Sequence, residues 1–261
     1  MRARNQHLKR LLSLLLTVAM VLTMIPAAFA ADTTTSSGFV IGPYLLAPKT
    51  TSMVAVWETS GSEPTTIRFG TDADTFGEAV TVERDPEAPD YGGAQTNIFR
   101  YKFSDLTPGT RYYYEVALAD GEVSRGTFRT LEENPTEIRY ISITDTHKFD
   151  TKSTFDAAVA AYDPAFIIHG GDMVEGTGTQ KEQYAFWFNS GEFIHNYPVV
   201  YACGNHDFSD YFDMYVIDTQ TEEYGSVVEG NISFDYGDVH FDLMDSNPWA
   251  LFQMNAETSG G

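Results

Sequence analysis

The sequence predicts an all-β sandwich followed by an α/β domain, on three observations. From Gly38 to about Thr130, short β-prone runs alternate with turn clusters and no long helical period intervenes. From residue 138 onward, strand-like runs alternate with helical ones, the order that gives right-handed crossovers and a parallel sheet. Between them, LEENPTE at residues 131–137 reads as a short linker.

The first element is a leader. Arg2, Arg4, Lys9 and Arg10 precede an apolar run from Leu11, and Ala28-Phe29-Ala30 is a small-x-small cleavage signature. Residues 1–30 are read as a signal peptide rather than an anchor, because Pro26 and a Thr/Ser-rich stretch follow the apolar run. The mature chain is expected to be secreted, with no stable membrane span after cleavage. Removing the four basic residues takes the formal charge from -21 to about -25. So acidic a chain is not expected to bind nucleic acid or anionic membranes, which call for Lys/Arg patches. Cys203 is the single cysteine, so no internal disulfide forms and stability rests on core burial.

Within residues 38–130, SMVAVWET, TTIRFG, IFRYKF, RYYYEVAL and GTFRT read as alternating strands. DLTPGTRYYYEV sets a Leu, a Pro-Gly turn and a Tyr ahead of a strand, which resembles the tyrosine corner of fibronectin type III-like domains. The Tyr-rich strand is expected to pack a sandwich core rather than form a carbohydrate platform.

In the second half EIRYISIT, PAFIIHGGD and YPVVYACGNHD are three strands. STFDAAVAAY is a helix, opened by a capping box of Ser153 and Asp156. A longer helix is expected from about Thr179 to His195, with Tyr184, Trp187, Phe188 and Ile194 facing the core. NISFDYG and DVHFDLMDS are two antiparallel strands joined by a Gly-Asp turn.

Each of the three core strands ends in a polar knot: TDTH at 144–147, HGGD at 169–172 and GNHD at 204–207. In a parallel sheet all carboxyl ends share one edge, so the knots should converge there. Convergent Asp, His and Asn can hold divalent cations, with Mn, Fe or Zn suited to oxygen and imidazole donors. Asp145 and His147, two apart on an extended segment, would point the same way. Taken singly, each of these residues also fits an ordinary turn or cap. His169, His195 and Cys203 read as structural, Lys148 and Asp150 as solvated charges, and Glu175 has no assigned role.

Asp-x-His, Gly-Gly-Asp and Gly-Asn-His-Asp, in this order after strands, resemble the first three motifs of the calcineurin-like metallophosphoesterase superfamily. The β-rich first half is similar to the domain that precedes the catalytic domain in purple acid phosphatases. The resemblance implies a partial α/β metallophosphoesterase domain at 138–261 acting on phosphate esters. It implies Asp145 and His147 on a first metal, Asp172 bridging two divalent ions, and Asn205 on the second. A metal-activated hydroxide would attack phosphorus, with His206 as general acid oriented by Asp207. Purple acid phosphatases have a Tyr where this chain has Glu175 and lack a His at position 147, so Mn, Zn or a mixed centre is implied rather than tyrosinate-bound iron. The family's later Gly-His and Gly-His-x-His motifs have no counterpart before Gly261. The domain is therefore expected to lack its C-terminal part, hold metal weakly and leave apolar sheet surface exposed. The alternative to an enzyme is a non-catalytic exported binding module or inactive remnant.

Overall fold

A computed structural model describes residues 38–246, apart from positions 87, 89, 92–93, 148, 176–179, 208–209 and 226–230. The signal peptide expected at residues 1–30 lies outside the described residues. The first half contributes β1 (Phe39–Leu46), β2 (Met53–Thr59), β3 (Thr65–Gly70), β4 (Val80–Val82), β5 (Asp90–Tyr91), β6 (Ala94–Gln95), β7 (Asn97–Phe103), β8 (Arg111–Ala117) and β9 (Val123–Arg129). The strands form one sheet in the order β1-β2-β7 and another in the order β4-β3-β8-β9, with every pairing antiparallel. Met53, Ala55, Trp57, Phe99, Phe103, Tyr114 and Phe128 fill the space between the sheets. The tyrosine corner is present: the Tyr112 hydroxyl accepts the Thr107 backbone N–H at 2.9 Å.

The second half begins with β10 (Tyr140–Ile143), α1 (Lys152–Tyr162), β11 (Phe166–His169), α2 (Gln180–Phe188), α3 (Phe193–Asn196) and β12 (Val199–Tyr201). The strands β10-β11-β12 are parallel and adjacent in that order. A helical segment follows, made of α4 (Asp210–Phe212), a π-helical turn (Asp213–Ile217) and α5 (Asp218–Tyr224). Last comes the hairpin β13 (Ile232–Tyr236) and β14 (Val239–Leu243), closed over Gly237 at φ 58°. Side chains alternate across the parallel sheet. Ile167, Val199 and Tyr201 share a core with Phe155 and Val159 of α1 and with α2, while Phe166 and Val200 pack on Phe234, Tyr236 and Phe241 of the hairpin.

Three local expectations are corrected. Ser153 lies inside α1, whose N-cap is Thr151, so the Ser153–Asp156 capping box does not form; Asp150 Oδ1 accepts the Lys152 N–H at 3.0 Å instead. The helix expected to reach His195 is two helices, α2 and α3, interrupted at Asn189–Glu192; Tyr184, Trp187, Phe188 and Ile194 are nonetheless buried. The expected bare sheet face is largely covered by the hairpin, with Tyr140 and Met244 exposed at its margins.

The two halves are not independently cored. All seven residues of β2 are buried, because one face meets the other sandwich sheet and the opposite face meets the α/β half. Tyr44, Leu46, Val54, Val56 and Ile98 share a cluster with Trp187, Phe188 and Tyr215, and the described residues fall in one compact unit, Ser36–Gly261. Among the described residues no helix is long and apolar enough to cross a membrane.

Candidate metal centre

The parallel strands end in one row, Ile143 beside His169 beside Tyr201, and the three knots leave from that row. Backbone hydrogen bonds join the first loop to the second. Asp145 N–H donates to Gly171 O and His147 N–H to Asp172 O, both at 3.0 Å. The third loop is tied in by His206 N–H, which donates to Asp172 Oδ1 at 2.9 Å. Gly171 and Gly204 permit this approach, since a Cβ on Gly171 would collide with Gly204 and one on Gly204 with Asp172.

The strand stops at Ile143, so Asp145 and His147 do not converge as neighbours on an extended segment. Asp145, His147 and Asp172 instead adopt left-handed backbone at φ 55°, 46° and 54°. Non-glycine residues persist there only when the surroundings hold them, as the shared backbone bonds do here. One donor atom from each of the three lies within 4.8 Å of the others. His147 Nδ1 is 3.1 Å from Val174 O; a carbonyl only accepts, so Nδ1 carries the proton and the Nε2 lone pair is left for a ligand. The Thr144 hydroxyl donates to Asp145 Oδ2 at 2.7 Å. Two carboxylates and an imidazole with a fixed tautomer make a donor set that fits a divalent cation.

The His206 ring stands 5.3 Å from the His147 ring, centroid to centroid, in a T-shaped arrangement. Asn205 is exposed at the loop tip, and its nearness to the cluster comes from its neighbours Gly204 and His206. Asp207 differs from the expected orienter of His206. Its Oδ1 accepts the N–H groups of Met173 (2.9 Å) and Val174 (3.4 Å), and its Oδ2 accepts that of Gly204 (3.1 Å). A fully buried carboxylate in a strand-end loop finds its nearest donors in the main chain, so Asp207 clamps the second loop to the third. Burial pushes its carboxyl up to about 6, against the pull of those amides.

His169 is the structural counterpart on the first two loops. It is fully buried, and Gly171 N–H donates to its Nδ1 at 3.2 Å, which fixes the proton on Nε2; Nε2–H then donates to Thr146 Oγ1 at 2.9 Å. Burial drives its pKa down to about 3, so the ring is neutral. Sequence reading missed Thr144 and Thr146; the signal was the Thr-Asp-Thr-His alternation, with a hydroxyl before and after Asp145. Burial likewise raises the Cys203 thiol, consistent with a packing residue. His195 Nδ1 meets Pro43 O at the sandwich, and His240 lies between Asp235 and Asp242 on an exposed strand, where those carboxylates raise its pKa. Lys148 lies outside the described residues.

Residues 43–151 match the purple acid phosphatase N-terminal domain, and residues 138–258 match the calcineurin-like phosphoesterase. The second half is a calcineurin-like phosphoesterase domain. No curated protein matches the chain. Among solved structures it is similar in fold to PhoD, with TM-score 0.58 and 13% identity over 83% of this chain and 53% of that one. The chain thus spans about half the length of PhoD. The sensor domain of the anti-sigma factor RsgI4 from Pseudobacteroides cellulosolvens matches 37% of this chain and 76% of its own, at 15% identity and TM-score 0.27. The Asp145–His147–Asp172 cluster lies within the residues that match the calcineurin-like phosphoesterase.

Proposed function

We propose that the chain is an exported, metal-dependent phosphoesterase with a dinuclear centre. The observation that carries this reading is the convergence of Asp145, His147 and Asp172 within 4.8 Å, on loops of a calcineurin-like phosphoesterase domain. Asp145, His147 and Asp172 would hold one divalent cation, and Asp172 with Asn205 would face a second. Such cations, of Mn, Zn or Fe, would supply activated water and offset charge on a phosphoryl group.

The protein's own groups carry the rest. His206, beside the His147 ring, is the general acid that gives its proton to the leaving oxygen. Asp207 acts on the loop geometry, through the amides of Met173, Val174 and Gly204, and not on the transferred proton. Export rests on the signal-peptide pattern of residues 1–30.

The test is hydrolysis of p-nitrophenyl phosphate and its bis-ester by the chain supplied with Mn or Zn. His206→Ala is expected to lower kcat by about 10²- to 10⁴-fold, the usual contribution of a positioned acid. Asp172→Asn should abolish turnover. Equal turnover in wild type and both variants would sink the site assignment, and none in any of them would favour the binding-module alternative.

A further inference from the structure

We propose that Glu58, on sandwich strand β2, is a positioning residue for the metal centre. The proposal rests on the reading of Asp145, His147 and Asp172 as that centre. Glu58 is only 2% exposed, and a carboxylate so far from water is costly unless it is paired and hydrogen-bonded. Its Oε1 lies 2.7 Å from Lys181 Nζ, and its Oε2 accepts the Tyr215 hydroxyl at 2.7 Å. With Val54 and Val56, it belongs to the face of β2 turned away from the sandwich interior.

Both partners stand on elements that flank the catalytic loops. Lys181 is in the first turn of α2. Further along that helix, Gln183 Oε1 accepts the Glu175 N–H at 2.7 Å, just past the second knot, and the Tyr184 hydroxyl donates to Asp207 O at 3.1 Å. Tyr215 lies in the π-helical turn that follows the third knot. Such turns break the regular ladder and need outside support. Here Tyr44 donates to Tyr215 O at 2.6 Å and the Arg100 guanidinium donates to Met214 O, both from sandwich strands. Glu58 thus fixes the start of α2 and the π turn against each other. Through Gln183 and Tyr184 that register reaches the second and third loops, where Asp207 accepts from Met173 and Gly204.

A merely adhesive role would predict that losing the charge loosens the whole molecule. The positioning role predicts a local effect. Glu58→Gln keeps the size and an acceptor for Tyr215 but removes the charge facing Lys181. In the full chain, residue-resolved amide hydrogen exchange at Met173 and Gly204 should accelerate about tenfold or more, with β8 and β9 unchanged. Binding of Mn alone should weaken by about tenfold, as for loss of outer support in metal sites. Unchanged exchange at Met173 and Gly204, or equal acceleration in β8 and β9, would overturn the proposal. If Glu58→Gln fails to fold, Lys181→Met removes the same ion pair from its more accessible side, and the same two outcomes decide. Should the wild type bind no Mn while the exchange pattern holds, the metal reading fails and the positioning role stands.

Discussion

Met53, Ala55 and Trp57 point from β2 into the sandwich, whereas Val54, Val56 and Glu58 point from the same strand into the phosphoesterase half. The first face meets a cluster of Phe and Tyr rings built from the sandwich's own strands. The second meets Trp187, Phe188 and Tyr215, with an ion pair and donated hydroxyls among the apolar contacts. Apolar packing alone tolerates small slips between layers. Hydrogen bonds to particular carbonyls and carboxylates do not, so the second face sets how the loops of the three knots sit.

The largest effect should come from breaking either face. Trp57→Ala and Trp187→Ala should each cost about 3–5 kcal/mol, the range for truncating a buried ring. Because β2 carries both cores, urea unfolding followed by circular dichroism should show both variants lowering one shared transition. Two separate transitions, each moved by one variant, would mean the halves fold independently.

The pH dependence sharpens the contrast on the loop side. His169 is held neutral with its pKa near 3, while in the unfolded chain it titrates near the ordinary value of about 6.5. Below about pH 6.5 the unfolded state therefore binds the extra proton, and this contribution to stability is lost as pH falls toward 3. The expected slope is about 1.4 kcal/mol per pH unit across that window. Asp207, raised to about 6, contributes with the opposite sign and offsets much of this between pH 7 and 5. The comparison is therefore with His169→Asn, in which the Asp207 contribution is left unopposed and stability should rise as pH falls from 7 to 5. An unchanged slope would mean the ring is not buried neutral.

Gly204→Ala should cost about 1–3 kcal/mol by overpacking, and should weaken metal binding because the new methyl meets Asp172. The smallest effect belongs to the sandwich alone: Tyr112→Phe, which removes one hydrogen-bond partner at the corner, should cost about 1 kcal/mol and leave metal binding unchanged. Altered metal affinity in that variant would contradict the division between the two faces.

Much of this was legible in sequence. The strand runs and the three knots follow from period-two alternation and from polar residues breaking apolar runs, and the tyrosine corner from the resemblance of DLTPGTRYYYEV to fibronectin type III-like domains. The shared core was not legible, because a strand buried on both faces reads as a continuous apolar run whose second neighbour no local pattern names. The contacts of Asp207 were not foreseeable: a carboxylate after a histidine reads as its orienter until three backbone amides are found around it. The convergence of Asp145 and His147 was anticipated through extended geometry, whereas left-handed backbone brings it about. Glu58 gave no signal beyond one acid in an apolar strand.

The most direct test is to crystallise the chain with Mn and collect anomalous diffraction. A peak within coordination distance of Asp145, His147 and Asp172, absent in Asp172→Asn, is the expected result. No peak there at millimolar Mn, or an equal peak in the variant, would contradict the reading of the three knots as a metal centre.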